Sequence, residues 1–198
     1  MRSAFDKFIS WTGLAMAAVL ILAGGLLWWA HSFTADQVHD QLTMQGITMP
    51  EGDALSGLPK SDADALEPYG GSLLDTGPEA KAFADHYILV HMNEASGDRT
   101  YEDVSGEYIA MSDEQKASEE GQALAGLRQT LFMGNTLRGL LLYGYAFATI
   151  GTIAGIASIV SFVGAGVLLV LFGLGIWHAR RVEKTGDVKV TGAVPHAV

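Results

Sequence analysis

Six histidines and twenty-two carboxylates are the side chains here with the means for acid–base or metal chemistry, and there is no cysteine. His86 and His91 are the pair most readily placed on one helix. They are five residues apart, about 140° around a helix, whereas ligands sharing a helix face need a spacing of three or four. A metal site would have to borrow further ligands from His31, Asp36, His39 or Asp40. The spacing favours His91 packed on an apolar helix face over His91 as a ligand. Without cysteine, disulfides, thiolate zinc sites, iron–sulfur clusters and thiol catalysis are excluded. There is no G-x-S-x-G elbow and no phosphate-binding glycine loop after a strand. The carboxylates are scattered as on a solvated surface. No enzyme is expected, and no catalytic, cofactor-binding or metal residue is assigned.

The elements that would position any site are dominated by two apolar runs. Gly139 to Trp177 is thirty-nine residues without Asp, Glu, Lys, Arg or His. As a helix it would be about 58 Å long, against about 30 Å for the hydrocarbon core of a bilayer. The expected solution is one helix that begins outside the membrane, enters near Tyr143 to Tyr145 and spans from about Gly151 to Trp177. The rival is a hairpin turning near Ser158 to Ser161. Trp11 to Ala30 is uncharged for twenty residues, one spanning length. Trp11 at one end and Trp28 and Trp29 at the other read as interfacial anchors, as do Arg138 and Trp177. Ala30-His31-Ser32 is a poor cleavage site, so an uncleaved anchor is expected rather than a signal peptide.

Charge sets the expected topology. Residues 31–138 hold nineteen acidic and six basic residues, a net of -13 out of -10 for the whole chain. Arg2 and Lys7 precede the first run; Arg180, Arg181, Lys184 and Lys189 follow the second. Lys and Arg mark cytoplasmic flanks, so both termini are expected in the cytoplasm of a multi-pass plasma-membrane protein, with 31–138 external. An acidic exterior argues against nucleic acid and against anionic head groups.

The expected organisation is mainly α-helical: a cytoplasmic start over 1–10, a transmembrane helix over 11–30, an external acidic region over 31–138, a membrane-embedded helix over 139–177 and a cytoplasmic tail over 178–198. Within the external region, 31–77 reads as an irregular strap, with Val38, Leu42, Ile47 and Met49 as its buried points. Pro78, Glu79 and the stop at Gly97 define a helix over 78–96, with Ala80, Phe83, Ala84, Tyr87, Ile88 and His91 on one face. Residues 98–111 read as a polar connection. Ser112 and Gln115 form a capping box that starts a helix over 113–138 leading into the membrane.

The membrane runs are rich in small residues. Gly151 and Gly155 make a GxxxG pair, continued by Ala157, Ser161 and Ala165, with Gly24 and Gly25 in the first run. Glycines four apart let a second backbone approach closely. A helix-packing interface is therefore expected on these residues, within the chain or with another protein.

Several segments together resemble a family of small actinobacterial two-helix membrane proteins. They are Arg128-Gln129-Thr130-Leu131-Phe132, Asn135-Thr136-Leu137-Arg138-Gly139, Leu140–Ala157, Ile47-Thr48-Met49-Pro50-Glu51, the helix over 78–96 and Thr100-Tyr101. The likeness covers about residues 8–177. It extends to accessory subunits of the respiratory supercomplex that joins cytochrome bc to cytochrome oxidase, of the prokaryotic respiratory supercomplex association factor type. The resemblance implies a non-catalytic subunit aiding association or stability. Its partners would be membrane lipids and integral membrane subunits, among them cytochrome bc or cytochrome oxidase components. The same likeness carries a link to aromatic ring-opening dioxygenases. That chemistry needs iron held by two His and a carboxylate, a constellation absent here. The alternative from the residues alone is a stand-alone membrane-anchored sensor or ligand-binding protein, with the Gly151/Gly155 face pairing two copies.

Overall fold

The computed structural model describes residues 2–191. The chain is mainly helical, with no strand among the described residues. Among the described residues seven α-helices follow in order: α1 (Arg2–Thr43), α2 (Lys60–Leu66), α3 (Gly77–Ala82), α4 (Leu89–Ser96), α5 (Tyr101–Ala110), α6 (Asp113–Ala117) and α7 (Glu119–Thr191). A π-helical turn, Phe83–Ile88, joins α3 to α4. Two helices, α1 and α7, are long and apolar enough to cross a membrane.

Two compact units make up the chain. One, the span unit, takes Met1–Ser32 with Thr152–Val198; the other, the acidic unit, is Phe33–Gly151. In the span unit the buried residues are small: Ala17, Gly24, Gly155, Ser158, Ala165 and Ala179. Large apolar side chains face outward on both helices, among them Leu22, Leu26, Val160 and Val170.

The acidic unit has two conventional cores. The first gathers Val38, Leu42, Met49, Leu66, Leu74 and Leu141 with the alanines of α3 and the π-turn. The second gathers Met92, Val104, Leu124 and Leu131. Capping boxes start three helices: Thr76 with Glu79, Thr100 with Asp103, and Ser112 with Gln115. Each satisfies two backbone N–H groups that a helix start leaves open.

Several expectations need correction. The irregular strap over 31–77 is largely ordered. α1 does not stop at Ala30 but runs to Thr43, because no Gly or Pro lies between Ala30 and Gly46, where φ is +64°. Beyond it, an antiparallel bridge between Thr48 and Leu73 ties the loop: Met49 N–H donates to Ser72 O (2.8 Å) and Leu74 N–H to Ile47 O (2.9 Å). α2 fills the space between. The polar connection over 98–111 contains α5, whose Thr100 cap the sequence reading passed over. The helix begun at Asp113 ends at Ala117, since Ser118 is extended; Ser118 then caps α7, its hydroxyl accepting from Gly121 N–H. α7 is unbroken through Ser158 to Ser161, which removes the hairpin, and passes Trp177 to reach Thr191. Residues 192–198 of the expected tail lie outside the described residues.

Candidate functional site

Three places in the fold gather the side chains that sequence reasoning singled out. The first is the helix pair of the span unit. The Ser158 hydroxyl donates to the carbonyl of Gly24 (2.8 Å), and both residues are buried. A Cβ added at Gly24 would stand 3.0 Å from the Phe162 ring, and one added at Gly155 would stand 2.9 Å from His31 Nδ1. Trp11 and Phe172 meet edge to face with centroids 5.8 Å apart. Of the residues assigned to a packing interface, Gly24, Gly151, Gly155 and Ala165 are buried; Ala157 and Ser161 are half-buried, Ser161 donating to Ala157 O within its own helix; Gly25 is exposed with open space around it. Ser158 was missed as a packing residue. It lies three residues after Gly155 and seven after Gly151, the spacing that keeps a residue on one helix face.

The tryptophans expected as anchors, Trp11, Trp28, Trp29 and Trp177, are all more than half exposed. Trp177 lies under the Arg181 guanidinium, 5.6 Å from centroid to carbon. Arg138, expected as an interfacial anchor, is paired within the fold. Its Nε donates to Ala84 O (3.0 Å) and its Nη2 to Asp85 Oδ1 (2.8 Å), tying α7 to the π-turn. An arginine near two carboxylate and carbonyl acceptors gains more from charge-assisted bonds than from solvent.

That π-turn is the second place. Asp85 also accepts from Lys81 Nζ. Burial pushes the Asp85 carboxyl up, but hydrogen bonds and charge from Lys81 and Arg138 outweigh it and hold it below the usual range. Nearby, Glu79 accepts four hydrogen bonds, from Asp75 N–H (3.1 Å), Thr76 N–H (3.0 Å), the Thr76 hydroxyl (2.8 Å) and the Ser72 hydroxyl (2.9 Å). Burial raises Glu79 too, and these donors again bring it below its ordinary value. His86 Nδ1 is 2.8 Å from Asp62 Oδ1 on α2. His91, expected in the packed face, is exposed; its ring lies tilted against that of Tyr87, with its Nδ1 2.8 Å from Tyr87 O. Among the described residues no group of three or more His, Asp or Glu side chains is placed to hold a metal ion.

His91 is displaced by the π-turn. Ala80, Ala84, Ile88, Met92 and Ser96 recur every four residues. Over those sixteen residues a plain α-helix drifts by about 160°. A π-turn takes up one extra residue and so removes about 100° of that drift. Met92 and Ser96 are thereby buried in line with Ala80 and Ala84, and His91 turns outward.

The third place is a groove of about 530 Å³ in the acidic unit, between the end of α1 and residues 137–147 of α7. Thr34, Gln37, Gln41 and Gln45 supply one wall; Leu137, Leu140, Tyr143 and Phe147 supply the other. Val38, Leu42 and Leu141 form its floor.

No protein-family model matches this chain, and no curated protein or solved structure shows significant similarity to it. The likeness to small actinobacterial membrane proteins therefore rests on the residues quoted for it above.

Proposed function

We propose that this chain is a non-catalytic accessory subunit of a membrane complex, held in the bilayer by α1 and α7. The observation that carries this reading is the inverted burial of the span unit. Its small residues are used up in the α1–α7 contact, and its large apolar side chains point away from the protein. In water such a surface would drive aggregation; in lipid, or against the helices of other subunits, it is at its lowest free energy. Both termini lie in the cytoplasm by the Lys and Arg flanks, and the acidic unit lies on the outer side. Its charge suits a basic partner surface there.

The complex suggested by the resemblance is the actinobacterial supercomplex of cytochrome bc and cytochrome oxidase. The test is a mild-detergent pull-down of the tagged full-length protein from its native membranes, with mass spectrometry and a haem spectrum of the eluate. Cytochrome subunits in fixed ratio with reduced haem bands are expected. An eluate of this protein alone, without haem, removes the supercomplex reading.

A second reading is favoured by a specific observation. The acidic unit has its own cores and a groove of ligand-binding size, which suits a membrane-anchored sensor or ligand-binding protein. A lone chain that stays in the membrane and binds a small molecule would support it.

A further inference from the structure

The groove between α1 and α7 in the acidic unit stands out by what it lacks. The unit carries nineteen carboxylates, yet no charged side chain lines the groove. One wall is apolar, from Leu140 and Phe147 of α7. The other presents the neutral amides of Gln37 and Gln41, about one turn apart on α1, and of Gln45 just beyond the end of α1 at Thr43. Pockets for small amphiphilic ligands have this composition: an apolar body and a few uncharged polar groups, within about 300–1,000 Å³.

The apolar wall of the groove continues along α7. Leu140, Tyr143, Phe147 and Ile150 recur at three- and four-residue spacing, and each is more than half exposed. They form an apolar stripe leading from the groove toward the residues of α7 that read as its membrane span. On α1, Phe33 follows the Trp28 and Trp29 pair by about one turn.

We propose that the groove binds one acyl chain of a zwitterionic or neutral glycerolipid. The chain lies against Leu140 and Phe147, and the ester region accepts hydrogen bonds from the glutamine amides. The head group is restricted by charge. Asp36 and Asp40 flank the glutamines on α1, and the unit's net of -13 repels an anionic lipid. This inference rests on the membrane reading given above, and the experiment separates the two.

The full-length protein is reconstituted in phosphatidylcholine vesicles with a minor share of phosphatidylglycerol, washed with carbonate, solubilised in mild detergent and analysed by native mass spectrometry. One retained phosphatidylcholine per chain is expected. Gly144→Leu fills the groove, because a Cβ there sits 3.6 Å from Leu42 and the added side chain extends into the space. It should lower retention at least tenfold, and Leu140→Asn should lower it severalfold. Val163→Leu, on the outward face of α7, should not change it. Helical circular dichroism and thermal melting identify a variant that fails to fold; the other groove variant then decides. The proposal is overturned by a wild-type chain that holds no lipid or prefers phosphatidylglycerol, or by folded groove variants that retain lipid as well as wild type. A chain that washes out with carbonate sinks the membrane reading itself. A chain that stays but carries no lipid sinks only the groove.

Discussion

The span unit and the acidic unit bury opposite kinds of side chain. Among the largest fully buried residues of the acidic unit are Met49, Leu66, Leu74, Val104 and Leu131, with most carboxylates outside and Glu79 the buried exception. In the span unit the contact is made by Gly24, Gly155, Ser158 and Ala165, with Leu22, Val160 and Val170 outside. The first arrangement is driven by water leaving apolar surface. The second, in the bilayer proposed for it, would gain nothing from that, since lipid is as apolar as leucine; it depends on close backbone approach and a hydrogen bond across the pair. One chain thus follows two sets of packing rules, and the two units should respond differently to the same kind of change.

Core truncation gives the largest contrast. Leu74→Ala, at a fully buried site, should destabilise the acidic unit by about 2–5 kcal/mol, seen as a lower midpoint in chemical denaturation. A leucine-to-alanine change at the exposed Leu22 should leave that midpoint unmoved. If both changes cost the same, the contrast between the units fails. Next in size is the tie between α7 and the π-turn. Arg138→Met removes two charge-assisted bonds and leaves Asp85 with Lys81 alone, for a loss of about 1.5–3 kcal/mol.

Acid sharpens the comparison in the same unit. Glu79 and Asp85 both have folded-state values below their unfolded ones. Their contribution is therefore complete above the ordinary carboxylate range, about pH 4, and is lost as pH falls through the lower folded values. Acid titration followed by near-ultraviolet circular dichroism should show the acidic unit loosening below about pH 4. Glu79→Gln should flatten part of that dependence. A profile unchanged by Glu79→Gln would mean that this carboxylate is not among those responsible.

The smallest expected effect is in the span unit. Ser158→Ala deletes one interhelical hydrogen bond, worth about 0.6 kcal/mol in lipid. Gly24→Leu, by contrast, forces a side chain onto the Phe162 ring and should separate α1 from α7. Cysteines placed at Leu20 and Gly164, where a Cβ on Gly164 lies 3.3 Å from Leu20 Cδ1, should be joined by a short bifunctional thiol cross-linker in the parent and not in Gly24→Leu.

Much of this was readable from residue order. The helical run Gly77–Ser96 follows from Pro78 at its start and Gly97 in the left-handed region at its end. The two long apolar helices follow from their lack of charge. What escaped has physical causes. Residues 31–43 are polar, and polarity masked a helix that only the absence of Gly and Pro reveals. Arg138 looked like an anchor because its acceptors, Ala84 O and Asp85, lie more than fifty residues away in sequence. Leu141 packs in the first core of the acidic unit, so a fragment cut at residue 138 divides that core; a fragment that tests independent folding should be 33–151. The groove left no linear signal, since its walls come from segments a hundred residues apart.

The π-turn at Phe83–Ile88 has a consequence for how this chain can change over generations. A helix carrying an extra residue can lose one and remain a helix. Deleting a single codon there would relax the turn to ordinary α geometry and leave everything downstream facing as before, because the lost residue and the lost π-turn shift the register by about 100° in opposite senses. Met92 would keep its place in the second core and His91 would stay outward. The lineage can thus shed or regain one residue between Ala82 and Leu89 in a single step, without disturbing the contacts on either side.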